Sequence, residues 1–162
     1  MNKPLTIRRY QSNDDRAVRD LSTLALQAAG FDPELEGWDR DLHHINETYL
    51  QDGCDFLVGI CDSNLIAMGA LRRTSSHTAE IKRMRVHPDY QRRGFGQAIL
   101  AALEKRALEL GYPMLCLDTT VPQTAAQRLY EKNGYVVVRH GKIGKFDCLF
   151  YEKQLEPSID ED

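Results

Sequence analysis

In Val86-His87-Pro88-Asp89-Tyr90-Gln91-Arg92-Arg93-Gly94-Phe95-Gly96-Gln97, a strand end meets a proline break and a glycine-containing loop that opens onto a long helical pattern. The first amides of a helix have no partner within it, and the aligned peptide dipoles place partial positive charge there. A loop entering such an end is a ready anion site. Gly94 and Gly96 let backbone approach a ligand with no Cβ in the way, and Arg92 and Arg93 bring mobile positive charge to the same point. That combination suits a pyrophosphate. Two turn-forming glycines beside two solvated arginines would read the same way, because short glycine patterns are common. The specific phosphate motifs are absent: there is no GxxxxGK[ST], and Ile99 stands where the dinucleotide fingerprint needs its third glycine.

Upstream of this loop, a strand is expected from about Thr78 to Val86, stopping at His87-Pro88-Asp89 because proline cannot donate to a sheet ladder. On a regular strand Glu80, Lys82, Met84 and Val86 would share one face. Phe56–Cys61 and Leu65–Leu71 read as a hairpin joined by the tight turn Asp62-Ser63-Asn64. Nearer the start, Thr6–Tyr10 is strand-like, and Ser12–Asp15 offers side chains that cap free helix amides. Val18, Leu21, Ala25 and Ala28 then recur at helical spacing until Gly30. A second helix is expected after Gly37, with Trp38, Leu42, Ile45 and Tyr49 as one stripe.

Downstream, Phe95, Ile99, Leu103 and Leu110 share a helix face, and Met114–Leu117 is a buried-strand run ending at Asp118. Thr124–Asn133 reads as a short helix, with Thr124 and Gln127 spaced as a capping box and Gly134 as terminator. Tyr135–Val138 and Phe146–Lys153 finish as strands. The order β-α-α-β-β-β-α-β-α-β-β predicts an α/β fold, a mixed (α+β) sheet with helices on both faces. Residues 1–155 would form one domain, and 156–162 an acidic, frayed tail.

A chain of 162 residues can bury one real core, and 42% apolar with 28% charged residues is ordinary globular composition. Lys+Arg total 21 against Asp+Glu 24, a formal charge of −3, which gives no global case for nucleic acid or an anionic membrane. Cys54, Cys61, Cys116 and Cys148 show no CxxC pairing and sit in apolar runs, so they read as buried free thiols in a reducing compartment. No apolar stretch approaches the ~18 residues of a membrane span, and the N-terminus has no apolar signal core. A soluble cytoplasmic protein is the expectation.

Gln91–Gly96 resembles the Q/R-x-x-G-x-G/A signature of the GNAT N-acetyltransferases. Ala126-Gln127-Arg128-Leu129-Tyr130-Glu131-Lys132-Asn133-Gly134-Tyr135 resembles the family's second motif, A-x-x-L-Y-x-x-x-G-F/Y, and the element order matches from about Thr6 to Leu155. The resemblance implies a GNAT-like acyl-CoA N-acyltransferase fold in which acetyl-CoA is the acyl donor and no metal takes part. It implies that Gln91, Arg92, Arg93, Gly94, Phe95 and Gly96 wrap the pyrophosphate, with Gln97 following, and that Met84, Arg85 and Val86 offer strand backbone to the pantetheine arm. Tyr130 falls where many members keep a tyrosine that protonates the departing CoA thiolate, and the match favours that role over a core aromatic beside Leu129.

Glu80, six residues before Val86, falls where histone-type members carry a catalytic glutamate. A base, a residue that binds the acceptor's positive charge, and a partner for Lys82 or Arg83 all remain open for it. Gln123 departs from the family's usual asparagine at its CoA contact, and Arg85 stands where an aromatic is frequent, facing the site entrance or an acidic acceptor. By the same resemblance Phe31–Trp38 would line the acceptor side. His43, His44 and Glu47 suit an exposed helix better than a metal, since adjacent histidines point to different sides. The basic cluster from Lys82 to Arg93 lacks the stacking aromatics of an RNA site.

The function implied is acetyl transfer from acetyl-CoA to a primary amine of a small molecule or peptide, directly in a ternary complex. The alternative is a CoA-binding sensor without turnover. The partners expected are acetyl-CoA and an amine acceptor, with no nucleic acid and no membrane. Dimers are common among look-alikes, which makes a homodimer a candidate assembly.

Overall fold

A computed structural model describes residues 3–33, 37 and 39–157. Its elements follow the expected order: β1 (Thr6–Arg9), α1 (Asp15–Ala28), α2 (Ile45–Tyr49), β2 (Asp55–Cys61), β3 (Asn64–Arg73), β4 (Thr78–Val86), α3 (Phe95–Glu109), β5 (Met114–Thr120), α4 (Thr124–Lys132), β6 (Val136–Ile143) and β7 (Phe146–Gln154). The strands form one seven-stranded sheet in the order β1-β2-β3-β4-β5-β7-β6. Neighbours are antiparallel except β4 and β5, which are parallel, as a crossover through α3 requires.

Strand alternation sorts the sheet's side chains onto two cores. Leu57, Ala67, Leu71, Ile81 and Leu115 pack with Ile99 and Leu103 of α3. Phe56, Val58, Met68 and Ala70 pack with Val18 and Leu21 of α1 and Tyr49 of α2. Helices therefore cover both faces. α3 sits close because Gly69 leaves a bare patch: a Cβ there would lie 2.8 Å from Ile99 Cγ2, Leu103 Cδ1 and Met84 Sδ.

β4 departs from the regular strand expected of it. Opposite Met68 and Ala70 of β3 stand Arg85 and Lys82, so β4 carries one extra residue, and Arg83 takes up the bulge in the left-handed region (φ +57°). The insertion reverses the alternation. Glu80 and Lys82 stay on the α1 side, with Lys82 opposite Ala70, while Met84 and Val86 pack into the α3 core with Ile81. The shared face of Glu80, Lys82, Met84 and Val86 is therefore split. β4 also parts from β5 early: pairing runs from Thr78↔Met114 to Glu80↔Cys116 and goes no further.

Smaller differences have equally local causes. The buried stripe of α1 is Val18, Leu21, Ser22 and Leu26, while Ala28 is exposed. Leu42, Ile45 and Tyr49 are buried as expected, but the second helix is broken at His44 (φ −138°, ψ 44°) into a 3₁₀ turn at Arg40–His43 and the short α2. Trp38 lies outside the described residues, as do 34–36 and 158–162. The Thr124/Gln127 capping box does not form. Gln127 Nε2 instead donates to the carbonyls of Thr120 (3.2 Å) and Val121 (2.7 Å), closing the turn before α4. All four cysteines are free, and Cys116 is half-buried where the others are buried. β6 runs on to Ile143 as an edge strand that leaves Val136 and Val138 exposed.

Candidate active site

The loop from Gln91 to Gly94 lies at the surface and hands over to α3, whose N-cap is Gly94. Arg92 (φ +62°) and Gly94 (φ +81°) are left-handed while Arg93 between them is not, an alternation that turns successive N–H groups toward one concavity. At Gly94 the left-handed φ is what favours glycine, because a Cβ there would meet nothing within 4 Å and space is no constraint. At Gly96 a Cβ would make ordinary contacts with Leu129 and Val86, so packing there does not demand glycine. Phe95 anchors the helix start in the α3 core, and Arg93 stacks over Tyr90 at 5.1 Å. The Gln97 side chain is committed elsewhere, in reciprocal 2.7 Å amide bonds with Asn133, so only its backbone is left for the contact the resemblance implies. Asn133, the C-cap of α4, thereby ties the two motifs together; neither motif's spacing marks it for that task.

Beyond Glu80 the parting strands leave a cleft of roughly 230 Å³. Lys82 to Arg85 form one wall and Asp118 to Thr120 the other. Gln123, Ala126 and Tyr130 of α4 close one end, and Ile143, Phe146 and Cys148 of the last hairpin the other. Phe31 packs edge-on against Phe146 (5.7 Å), which brings the start of the expected acceptor loop to the cleft's margin. Gln123 Oε1 accepts from the hydroxyls of Thr120 (2.9 Å) and Thr119 (3.2 Å), so its side chain braces the end of β5.

Tyr130 is only 7% exposed, its ring against Tyr135 (5.7 Å) and Tyr151 (6.2 Å), yet it lines the cleft. It is thus both a core aromatic and a cleft residue. Burial pushes its phenol up to about 12, with Arg85 pulling down and Asp118 pushing up. It stays protonated well beyond neutral pH.

Glu80 stands at the vertex where the strands part and meets Lys82 at 3.5 Å, the partner reading left open for it. Two residues beyond Glu80's neighbour Cys116 comes Asp118, which lines the cleft itself. Its carboxyl is reached by solvent through the cleft mouth but flanked by protein, and it is held above the usual aspartate value by desolvation first and Glu80 second, against Lys82 and Arg83. The sequence signal for Asp118 was an acid ending an apolar run at the carboxyl end of a parallel strand, where open α/β sheets place ligands.

Behind the β4 wall lie two carboxylates from the α1–α2 connection. Asp41 holds Arg83 Nε at 3.0 Å and accepts the Tyr49 hydroxyl. Asp39 lies 3.5 Å from Arg83 and 3.3 Å from Arg85, and accepts the Ser22 hydroxyl. Burial is the largest influence on both guanidiniums. At Arg83 the neighbours Asp41, Tyr49 and Asp39 outweigh it and raise the pKa; at Arg85 Asp39 and Tyr130 do not offset burial and the like charge of Arg83, and the pKa falls below its ordinary value. Among the described residues no group of three His, Cys, Asp or Glu side chains could hold a metal, and His43, His44 and Glu47 are exposed. No helix there is long and apolar enough to cross a membrane.

The sheet thus combines a splayed parallel pair with a cleft between its strands and a glycine-arginine loop at the start of the following helix. The pattern of the Acetyltransferase (GNAT) family matches residues 18–135, most of the chain, and the protein belongs to that family. An acetyltransferase from Yersinia pestis (strain Pestoides F) is 30% identical over 115 residues, covering 70% of this chain and 74% of that one. A GNAT-family acetyltransferase from Staphylococcus aureus Mu50 superposes with a TM-score of 0.83 at 21% identity, over 94% of this chain and 100% of that one. An acetyltransferase from Salmonella typhimurium, solved with its cofactor acetyl-CoA, superposes with a TM-score of 0.76 at 21% identity, over 98% of each chain.

Proposed function

We propose that this acetyltransferase moves the acetyl group of acetyl-CoA to a primary amine, with both substrates bound at once. The observation that carries the reading is that β4, unpaired with β5 beyond Glu80 and lining the cleft with Asp118 and Tyr130, runs on in the chain to the left-handed Arg92–Gly94 loop. The loop amides, Arg92 and Arg93 would hold the pyrophosphate, and the β4 edge at Met84–Val86 would hold the pantetheine arm. When bound, acetyl-CoA supplies an activated acyl group. Asp118, with Glu80 behind it, would take a proton from the acceptor ammonium so that the nitrogen lone pair can attack. A β4 N–H facing the gap would stabilise the negative charge that develops on the carbonyl oxygen. Tyr130 would give its proton to the departing sulfur; a thiol of pKa ~8.5 is the stronger acid, so that transfer is uphill by itself and is drawn forward by the proton Tyr130 recovers from the acylated nitrogen as the amide forms.

Transfer from isotopically labelled acetyl-CoA to a panel of amines, read by mass spectrometry, tests the proposal. A labelled amide product that falls away in Tyr130→Phe and Asp118→Asn supports it. Clear acetyl-CoA binding without transfer to any amine would replace it with a sensor role. Absence of binding would overturn it outright.

A further inference from the structure

We infer that the acceptor is a small zwitterion, an amine that also carries a carboxylate, and that Arg85 selects the carboxylate; this rests on the acetyl-transfer reading above. Lys82, Arg83 and Arg85 line one wall of the cleft, and Asp118 is the acid on the other. The cations are unevenly partnered. Lys82 has Glu80 at 3.5 Å, and Arg83 has Asp41 at 3.0 Å and Asp39 at 3.5 Å. Arg85 has a 3.3 Å share of the same Asp39, which also serves Ser22, and the carbonyl of Met84 at 3.0 Å.

A guanidinium carries five N–H donors and keeps its charge at every working pH. Arg85 Nε is buried with no partner among the described residues, while 16% of the side chain remains open in the cleft wall. An unpaired buried donor is costly, and none of the described residues supplies this one with an oxygen. A planar carboxylate arriving from the cleft supplies its oxygens in the geometry an arginine fork matches best. The ammonium of the same molecule then lies toward Asp118, at the gap where the acyl group would sit.

The polarity also rejects alternatives. A polyamine would press like charge against three cations, and an uncharged amine would leave Arg85 as unsatisfied as before. A free volume of roughly 230 Å³ is below the range of about 300–1,000 Å³ usual for drug-sized ligands, which points to a compact acceptor.

The test compares amino acids with their carboxamides, their decarboxylated amines and a polyamine in labelled acetyl transfer. In the CoA-loaded protein, thermal stabilisation by N-acetylamino acids is compared with that by the matching amides. The acids should exceed the amides by about 30-fold or more in kcat/KM, as expected for a desolvated charge pair. In Arg85→Gln the acid/amide ratio in kcat/KM should collapse toward one, chiefly through a rise in KM for the acid. The wild-type acid/amide comparison stands by itself if Arg85→Gln fails to fold. Equal use of acids and amides, or no stabilisation by any N-acetylamino acid, overturns the inference. Transfer confined to amines lacking a carboxylate would overturn it while leaving acetyl transfer intact, whereas absence of acetyl-CoA binding would bring down the earlier reading as well.

Discussion

The two ends of the β4–α3 segment handle positive charge in opposite ways. At the α3 end, Arg92 and Arg93 are exposed, Arg93 rests on Tyr90, and the surrounding backbone supplies the donors. On β4, Lys82, Arg83 and Arg85 are half-buried, and the two arginines are held by carboxylates some forty residues earlier in the chain, Asp39 and Asp41. Exposed charge attracts a ligand and adds little to stability. Buried charge is part of the fold, because removing one partner strands the other. The first region can therefore be altered with loss of binding alone, while changes to the second should cost stability and acceptor choice together.

The sharpest break of this contrast is Gly94→Glu. It places a carboxylate in the proposed pyrophosphate loop and an L side chain at φ +81°, where the conformational cost is about 1–2 kcal/mol. Calorimetry should show acetyl-CoA affinity reduced by roughly 1,000-fold or more, with the domain still folded. Retained affinity would remove the loop from the cofactor site. Next is Arg83→Ala, which strands Asp41 and part of Asp39; urea unfolding should show a loss of about 3 kcal/mol. The matching exposed change, Arg93→Ala, should cost less than about 1 kcal/mol. Similar losses for the two would erase the distinction between the regions.

Two further changes sharpen the cleft's chemistry. Tyr130→Phe keeps the ring packing and removes the proton, so kcat should fall about 100-fold while acetyl-CoA affinity moves by no more than about twofold. Equal losses in both would leave Tyr130 a packing residue. The smallest effect expected is a shift in pH profile. Asp118 accepts a proton only when ionised, so kcat/KM should rise with pH through its titration, above the ordinary value of 3.8. Glu80→Gln removes a like charge, makes Asp118 easier to ionise and should move that acidic limb downward. A stationary limb would separate Glu80 and Asp118 from proton removal.

Much of this molecule was legible as spacing. The order of its elements follows from period-2 and period-3.6 patterns and from breaks at Pro88, Gly94 and Gly134, because each depends on residues adjacent in the chain. The loop motif was legible for the same reason. The second helix was read too long because the apolar stripe of Leu42, Ile45 and Tyr49 persists through a break at His44 that spacing does not reveal. Thr124/Gln127 had the right spacing for a capping box, but the turn's orphan carbonyls at Thr120 and Val121 competed successfully for Gln127.

The sequence by itself determined the mixed sheet, the crossover through α3 and the glycine-arginine loop, since short-range sterics suffice for each. Only the tertiary structure decided the charged wall of the cleft. One extra residue at Arg83, tolerated in a left-handed conformation because Asp39 and Asp41 hold its side chain, turns Met84 and Val86 into the core and leaves Arg85 facing the cleft. That outcome depends on charges brought together from distant parts of the chain, and a local pattern carries no record of them.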